Sequence, residues 1–382
     1  MKRKIIIGMM FAMLVVLGCT REPLSPEVGP GPVSSAETVE LNVSTNVSGV
    51  ESVTKSTSLM QSGIIGIFVC DHHEGSGNPY TPHANGMDNI KATLTTSGST
   101  QSWMFKFSNM TSEFPTLVLT AKKDAAENPV LADIFAYYPY ADTVRTPAAV
   151  PFKAGIDSTQ VSFNTINFRP ELYRDLMYAE ENASSTVNKS IDPQAKDPVT
   201  GEKLETVDVP FTFRHALARI RFNVTVNNPQ YNHPDGDKAT NFTLNSVILR
   251  KKSGYLYGSG SMDAITGELS DLVEVDKLSV AYGTRTNNTQ YSMPYANIVP
   301  TQPGEDYVDG DYEFRFVIDG VEIGTPFVLL REHLKHGDSD VYGFKAGYEY
   351  TFNFVYDNFV RFTGVEIGEW EVETDPLYEI EI

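Results

Sequence analysis

The residues with the most recognisable chemistry stand near the start of the chain, where an apolar pair and Gly18 precede Cys19 in "MLVVLGCT". Residues 2–4 are Lys-Arg-Lys and residues 5–17 are almost wholly apolar, which is the pattern of a secretory signal. The Cys19 thiol can accept diacylglycerol through a thioether, and signal peptidase II then cuts between Gly18 and Cys19. We therefore predict a lipoprotein held by acyl chains such as palmitate. The alternative is an ordinary signal peptide with an unrelated cysteine.

The segments around this cysteine predict how the protein is held. The run 5–17 is too short for a transmembrane helix, which needs about 20 apolar residues, and no other segment is long and apolar enough. Residues 20–37, "TREPLSPEVGPGPVSSAE", are rich in Pro, Gly and Ser, which favours an extended tether. The sequence thus predicts a soluble body on a lipid tether.

Histidines beside carboxylates are the candidate metal ligands. Asp71, His72 and His73, with His83 nearby, offer imidazole and carboxylate groups, but their segment is rich in Gly and Pro and is typical of a solvent-exposed loop. We favour the loop, and we predict no metal there.

Two further stretches fail known metal patterns. Glu332-His333 with His336 lacks the HExxH spacing that places two histidines on one helical face. In "EDYVDGDYE", residues 305–313, Val308 stands where a calcium-binding EF-hand loop needs Asp or Asn. We predict a hairpin turn there and no cofactor in the protein.

Patterns of enzymes are also poorly matched. "GSGSMD", residues 258–263, misses the GxGxxG spacing of a dinucleotide site, and no GxSxG nucleophile elbow is present. Paired carboxylates for glycoside hydrolysis stay open as an alternative, because in an acidic chain any pair could meet in space. We predict that the protein is not an enzyme.

Composition narrows the classes of partner. The 382-residue chain has 49 acidic and 30 basic side chains and a net charge of −19, which argues against nucleic acid as a partner. Cys70 is the only cysteine besides Cys19, so lipidation leaves no intrachain disulfide. Because Cys70 ends the apolar run "IIGIFVC", we predict a buried, unreactive thiol.

Alternation of apolar and polar residues with a period of two dominates the chain and predicts strands. Val39, Leu41, Val43, Thr45 and Val47 share one side of the first strand. Further strands are predicted over 64–70, 116–121, 207–213, 220–226, 242–249, 312–330 and 348–372, with a hairpin at Asp319-Gly320. Only 170–178 and 331–336 suggest short helices. The fold class is therefore all-β, with a sandwich or barrel architecture.

The polar, proline-punctuated stretch within residues 182–205 predicts a domain boundary. The two domains would cover residues 38–205 and 206–382. We find no clear internal repeat.

Four stretches together resemble the fimbrillin-like proteins of Bacteroidetes, the Mfa-like and FimA-like subunits of the type V pilus. They are "FTFRHALARIRFNV" (211–224), "IFAYYPY" (134–140), "DLMYA" (175–179) and "FTGVEIGEWEV" (362–372). The lipobox, the tether and the length agree with this resemblance, which covers nearly the whole mature chain.

The resemblance implies two transthyretin-like β-sandwich domains and export as a surface lipoprotein of the outer membrane. It also implies that an Arg- or Lys-specific protease removes an N-terminal segment, and that subunits then polymerise by strand exchange into a fimbrium for cell adhesion. Other pilus subunits and host or bacterial surface receptors are the implied partners. The resemblance does not distinguish stalk, tip and anchor subunits.

Two segments of this sequence match these implied steps. A polar loop with Lys55 and Ser56 follows the first strand, so we predict cleavage between these two residues. At the C-terminus, Leu377, Tyr378, Ile380 and Ile382 are interspersed with acidic residues, which is the pattern of a strand laid on an open sheet edge. That strand is either donated to another subunit or completes its own domain.

The alternative function is that of a monomeric, glycan-binding lipoprotein of the outer membrane. Such a protein should present exposed aromatic platforms, but only Trp103 and Trp370 are available as tryptophans, and Trp370 lies in a strand pattern typical of a core. For His215, within "FTFRHALARIRF", we predict a structural, hydrogen-bonded histidine in a stretch of small residues that bends or bulges the strand.

Overall fold

The computed structural model describes the greater part of the chain after residue 37. The described residues are 38–47, 58–59, 62–72, 80, 88–97, 100–108, 110–124, 126, 128–154, 161–162, 165–166, 175–180, 190–226, 241–242, 244–281, 285–286, 290–292, 296–302, 307–318, 320–336, 342–356 and 360–370.

Strands are the dominant secondary structure of the described residues, which confirms the all-β prediction. The strands are β1 (Thr38–Val47), β2 (Ser58–Leu59), β3 (Ser62–Asp71), β4 (Ile90–Ser97), β5 (Thr100–Lys106), β6 (Leu117–Thr120), β7 (Lys122–Lys123), β8 (Pro129–Val130), β9 (Ala132–Tyr138), β10 (Val150–Lys153), β11 (Val161–Ser162), β12 (Thr165–Ile166), β13 (Met177–Glu180), β14 (Ser190–Ile191), β15 (Thr206–His215), β16 (Ala218–Val226), β17 (Asn241–Phe242), β18 (Leu244–Lys251), β19 (Leu256–Met262), β20 (Leu269–Val275), β21 (Lys277–Ala281), β22 (Arg285–Thr286), β23 (Gln290–Ser292), β24 (Ala296–Ile298), β25 (Tyr312–Ile318), β26 (Val321–Val328), β27 (Tyr348–Tyr356) and β28 (Val360–Glu369). One 3₁₀ helix covers Arg331–Leu334.

The first large sheet has the strand order β2-β1-β15-β13-β9-β3-β4-β5, with β6 paired to β1 and β14 paired to β9. Gln101 of β5 forms hydrogen bonds with Thr45 of β1, although the two strands stand far apart in the strand order. The sheet is therefore curled, so that β5 lies close to β1. The inner faces of these strands share one core, which includes Val39, Ile67 and Phe213.

The strand β3 explains why "IIGIFVC" reads as a continuous apolar run. Ile65, Ile67 and Val69 face the core inside the curled sheet, while Phe68 and Cys70 face a second core on the outer side. The sheet β10-β19-β20 supplies Phe152 and Met262 to that outer core. A strand buried on both faces needs no polar alternation.

A glycine in β3 is required by its neighbour across the sheet. Gly66 pairs with Tyr137 of β9, and a Cβ atom at residue 66 would lie 2.0 Å from Cε1 of Tyr137. The Tyr137 hydroxyl donates to Oδ1 of Asn89 at 2.7 Å. The ring is therefore fixed in the space that any larger residue at position 66 would need.

The C-terminal half forms a β-sandwich from two sheets. One has the order β23-β16-β27-β28, with β24 also paired to β16, and the other has the order β21-β18-β25-β26. Their facing sides share a core rich in phenylalanine, in which the ring of Phe314 packs edge-on to Phe222 and Phe352 at centroid distances of 5.2 and 4.8 Å. Aromatic pairs in this geometry stabilise by about 0.5–1.5 kcal/mol beyond their buried area.

The predicted Asp-Gly hairpin is confirmed by the pairing of β25 with β26. Ile318 pairs with Val321, and Gly320 has a φ of +77°, the backbone conformation that such turns require. The core positions predicted in "FTFRHALARIRF" are also confirmed, since Phe211, Phe213, Ile220 and Phe222 are all buried.

The helix predicted over residues 170–178 is wrong where the structure can be compared with it. Met177 and Tyr178 belong to β13, which pairs with β9 on one side and β15 on the other, and residues 170–174 lie outside the described residues. Burial between two strands outweighs the helix propensity of "DLMYA". The second predicted helix, 331–336, is present as the 3₁₀ helix Arg331–Leu334.

The chain passes from the first sheet to the C-terminal sandwich at a short break. The strand β15 ends at His215, residues Ala216 and Leu217 are buried in the outer core, and β16 begins at Ala218. Although β15 comes after the predicted domain boundary at residue 205, it pairs with β1 and β13 of the first sheet. The division into independent domains at residues 205 and 206 stays a prediction.

Candidate functional site

The first strand, β1, is the element whose placement is most unusual. Residues Glu40–Val47 pair in parallel with Thr206–Phe213 of β15, which is about 166 residues later in the chain. On its other side, β1 pairs with β6 near its start and with β2 near its end. A strand from the beginning of the chain is thus inserted between strands that come later.

The apolar side of β1 lies in a groove of the first core. Val39, Leu41 and Val43 are at most 5% exposed, and Thr45 is fully buried. The predicted shared face of the strand is confirmed for these four residues. Burying each apolar side chain contributes roughly 1.5–3 kcal/mol, so the face holds β1 in place mainly by hydrophobic contact.

Polar contacts fix the register of β1 along the groove. The Glu40 amide donates to the Glu205 carbonyl at 2.9 Å, and Nζ of Lys203 donates to the Thr38 carbonyl at 2.6 Å. On the outer face, Nδ2 of Asn42 donates to Oδ1 of Asp208 at 2.7 Å. These bonds select one alignment, because a slip by one residue would turn the apolar face outward.

A side chain from β5 completes the contacts of β1. The Thr45 amide donates to Oε1 of Gln101 at 3.0 Å, and Nε2 of Gln101 donates to the Thr45 carbonyl at 3.2 Å and to its Oγ1 at 3.1 Å. Sequence reasoning missed this residue. The contact joins residues 56 positions apart, and no local pattern signals it.

The other predicted sites fall mostly outside the part of the chain that the structure describes. This holds for the lipidation and cleavage residues Gly18 and Cys19, for the processing residues Lys55 and Ser56, and for the tail residues Leu377, Tyr378, Ile380 and Ile382. Their roles stay predictions. The tether, residues 20–37, likewise lies outside the described residues.

Trp370, the last described residue, lies where β15 of the first sheet is followed by β16 of the C-terminal sandwich. Its ring stacks on His215 with centroids 4.2 Å apart and planes at 7°, and the guanidinium carbon of Arg219 lies 4.6 Å from the ring centroid. The Trp370 amide donates to the Gly347 carbonyl at 2.7 Å. These contacts fix the position of Trp370.

Two close contacts with acidic side chains support this stack. Nδ1 of His215 lies 2.6 Å from Oδ2 of Asp175, and Arg219 pairs with Glu349, which also contacts Arg221. His215 is thus a buried residue that packs on Trp370, but among the described residues neither of its ring nitrogens forms the hydrogen bond that the sequence predicted.

Asp71 and His72, the described members of the candidate metal ligands, pair with other residues. Nζ of Lys122 lies 2.5 Å from Oδ2 of Asp71, and Nδ1 of His72 lies 2.9 Å from Oδ2 of Asp133. His73 and His83 lie outside the described residues. Among the residues that are described, no group of three His, Cys, Asp or Glu side chains is arranged to hold a metal ion.

The second histidine group belongs to the C-terminal core. Nδ1 of His333 accepts from the Leu330 amide at 3.0 Å. His336 is buried, with Nε2 2.8 Å from the Tyr350 hydroxyl and 3.0 Å from the Gly343 carbonyl. Both histidines therefore serve the local fold.

Two groups whose pKa values are raised are buried, Tyr80 in the first core and Cys70 in the outer core. Burial, with a smaller effect from Asp133, raises the pKa of the Cys70 thiol to about 12. Burial also raises the pKa of Tyr80 to about 12, and its hydroxyl donates to the Thr120 carbonyl at 3.1 Å. Both groups stay protonated at neutral pH, as packed core residues do.

The aromatic residues bear on the glycan-binding alternative. Trp103 and Trp370, the two tryptophans of the chain, are 7% and 3% exposed. Neither ring is therefore placed to stack on a sugar in solution.

The helical content bears on membrane insertion. Within the described ranges, no helix combines the length and apolar character that crossing a bilayer requires.

Comparison with protein families gives one match that spans most of the chain. A family model described as fimbrillin-like matches residues 65–372. A search of curated proteins found none that matches the chain.

The solved structures that match the chain include proteins of Bacteroides and Porphyromonas. A candidate cell adhesion protein from Bacteroides ovatus has 17% identity and a TM-score of 0.48, and covers 87% of this chain and 98% of its own. The fimbrial anchor protein Mfa2 of Porphyromonas gingivalis has 12% identity, covers 87% and 98%, and has a TM-score of 0.37. The tip fimbrial protein Mfa3 of Porphyromonas gingivalis, with a C-terminal truncation, has 13% identity, covers 87% and 100%, and has a TM-score of 0.38.

Proposed function

The chain belongs to the fimbrillin-like family, and from this premise we propose that it is a non-enzymatic subunit of an adhesive fimbrium. In this proposal the protein is exported as an outer-membrane lipoprotein lipidated at Cys19 and has transthyretin-like domains. It is then processed after Lys55 and polymerises by strand exchange. The observation that supports this most strongly is the inserted position of β1 between β15, β6 and β2.

Removing β1 would create a site for another strand. The edge of β15 from Thr206 to Phe213 would lose its main-chain partner over eight residues, and the pockets of Val39, Leu41 and Val43 would be empty. Exposed strand edges and unpaired backbone groups favour pairing with a new strand. Cleavage therefore converts a closed subunit into one that accepts a strand.

The proposed donor is the tail beyond Trp370. Residues 371–382 can extend about 40 Å, which exceeds the roughly 26 Å of the eight paired residues of β15. Tyr378, Ile380 and Ile382 alternate with glutamates, so one face of the tail could fill the apolar groove while the other meets solvent.

The experiment is to treat the purified protein briefly with a Lys-specific protease and to examine it by electron microscopy and N-terminal sequencing. We expect a body that begins at Ser56 and forms filaments, whereas a Lys55→Ala variant should stay uncut in this loop and monomeric. Lys91→Ala, which removes a lysine from β4, is the matched control and should behave like wild type. Preferred cleavage in the middle of the protein, or clean removal of β1 without any polymer, would contradict the proposal.

A further inference from the structure

The contacts between Gln101 and Thr45 involve main-chain atoms of β1. The primary amide of Gln101 donates to the Thr45 carbonyl and accepts from the Thr45 amide, as a neighbouring strand would do. The third contact, to Oγ1 of Thr45, is the only one of the three that depends on the residue type in β1.

Within the ranges that the structure describes, Gln101 lies where β1 has no strand partner on that side. The antiparallel partner β6 covers Thr38–Leu41, and β2 covers Asn46 and Val47. Thr45 lies between these two pairings and is fully buried. A buried main-chain amide or carbonyl without a hydrogen bond is costly, so Gln101 supplies what the sheet lacks at this point.

The strand β5 holds the glutamine in position. Trp103 and Phe105, two and four residues later, are buried in the same core, and alternation along a strand places Gln101 on their side. The packing of β5 therefore directs the side-chain amide of Gln101 toward the position that β1 occupies, and it would do so for any strand in that position.

We propose that Gln101 is a positioning residue of the groove that holds β1. In this role, which we call the clasp, its side-chain amide forms hydrogen bonds with the backbone of β1 before processing and with the backbone of the incoming strand afterwards. Because every residue except proline offers the same amide and carbonyl groups, the clasp accepts a strand of a different sequence. The second half of this inference rests on the proposed function, and the first half does not.

Amide hydrogen exchange of the uncut protein tests the first half. Gln101→Ala should speed exchange of the Thr45 amide about tenfold, the effect of losing one net hydrogen bond. The matched control is Ser102→Ala, on the exposed side of β5, which should leave that rate unchanged. Gln101→Glu keeps the acceptor but not the donor, so it should protect the Thr45 amide better than Gln101→Ala does. Equal exchange in wild type and Gln101→Ala would overturn the clasp.

The polymerisation rate after processing tests the second half. We expect Gln101→Ala to polymerise several-fold more slowly than Ser102→Ala. Thr45→Val, which alters only the strand that is removed, should polymerise at the wild-type rate once cut. Wild-type polymerisation by Gln101→Ala would overturn the second half. If the processed wild-type protein does not polymerise, both the proposed function and the second half of this inference are wrong. The hydrogen-exchange result still tests the first half, because it is measured on the uncut protein.

Discussion

The buried position of Cys70 can be tested through the protonation state of its thiol. Its thiol is buried at the end of β3, and burial raises its pKa to about 12. At pH 8 almost no thiolate is present, and the thiolate is the reactive form. In a Cys19→Ala variant, where Cys70 is the only thiol, we expect negligible labelling by a thiol reagent in the folded protein and about one equivalent after denaturation. Rapid labelling of the folded form would contradict a core position.

The same protonation predicts how stability changes in alkaline solution. The folded pKa values of Cys70 and Tyr80 are raised above their ordinary values of 9.0 and 10.0. Below pH 9 both groups are protonated in both states, so their contribution is fully present. As the pH rises from about 9 to 12, the unfolded chain loses these protons first and stability falls. A urea midpoint that stays constant across this window would contradict the assignment of these groups to the core.

At the scale of elements, β1 offers a test of what holds it in the groove. Leu41 is 3% exposed on the inner face, and shortening it to Ala should destabilise the uncut protein by about 2–5 kcal/mol. After cleavage, the severed strand should leave the body at least tenfold faster in Leu41→Ala. Chemical denaturation and size-exclusion chromatography with mass spectrometry measure the two effects.

Asn42 provides the control on the opposite face of the same strand. Its hydrogen bond to Asp208 is exposed, so Asn42→Ala should change stability by about 0.5 kcal/mol or less. Equal effects of the two substitutions would show that the inner face does not dominate the binding of β1.

The strands themselves could be predicted from the sequence because alternation is a local signal. The alternating residues of β1 and the turn at Gly320 are short-range patterns, and both are present in the structure. The pairing of β1 with β15 could not be predicted, since parallel partners separated by most of a domain leave no trace in either strand. Gln101 was missed for the same reason. Met177 was assigned to a helix because its burial between β9 and β15 is a long-range property.

At the scale of the whole molecule, contacts with earlier residues hold Trp370, the last described residue, in place. Trp370 stacks on His215, lies under Arg219 and donates its amide to Gly347. Since these three contacts come from residues outside the tail, we expect the body to keep its stability when the tail is removed. The proposed donation of the tail to another molecule depends on this result.

Deletion of residues 377–382 separates the two roles open to the tail. If the tail is donated, the shortened protein should fold with a nearly unchanged melting temperature and fail to polymerise after processing. The lost contacts are those of Tyr378, Ile380 and Ile382, which could contribute roughly 1.5–3 kcal/mol each in a neighbour's groove before ordering costs. If the tail completes its own domain, the same deletion should lower the melting temperature by several degrees. Differential scanning calorimetry and electron microscopy distinguish these outcomes.

As a further control, the shortened protein keeps its own groove and should still cap filaments of the full-length protein, so mixing the two should shorten the filaments. Filaments formed by the shortened protein alone would show that another segment is the donor.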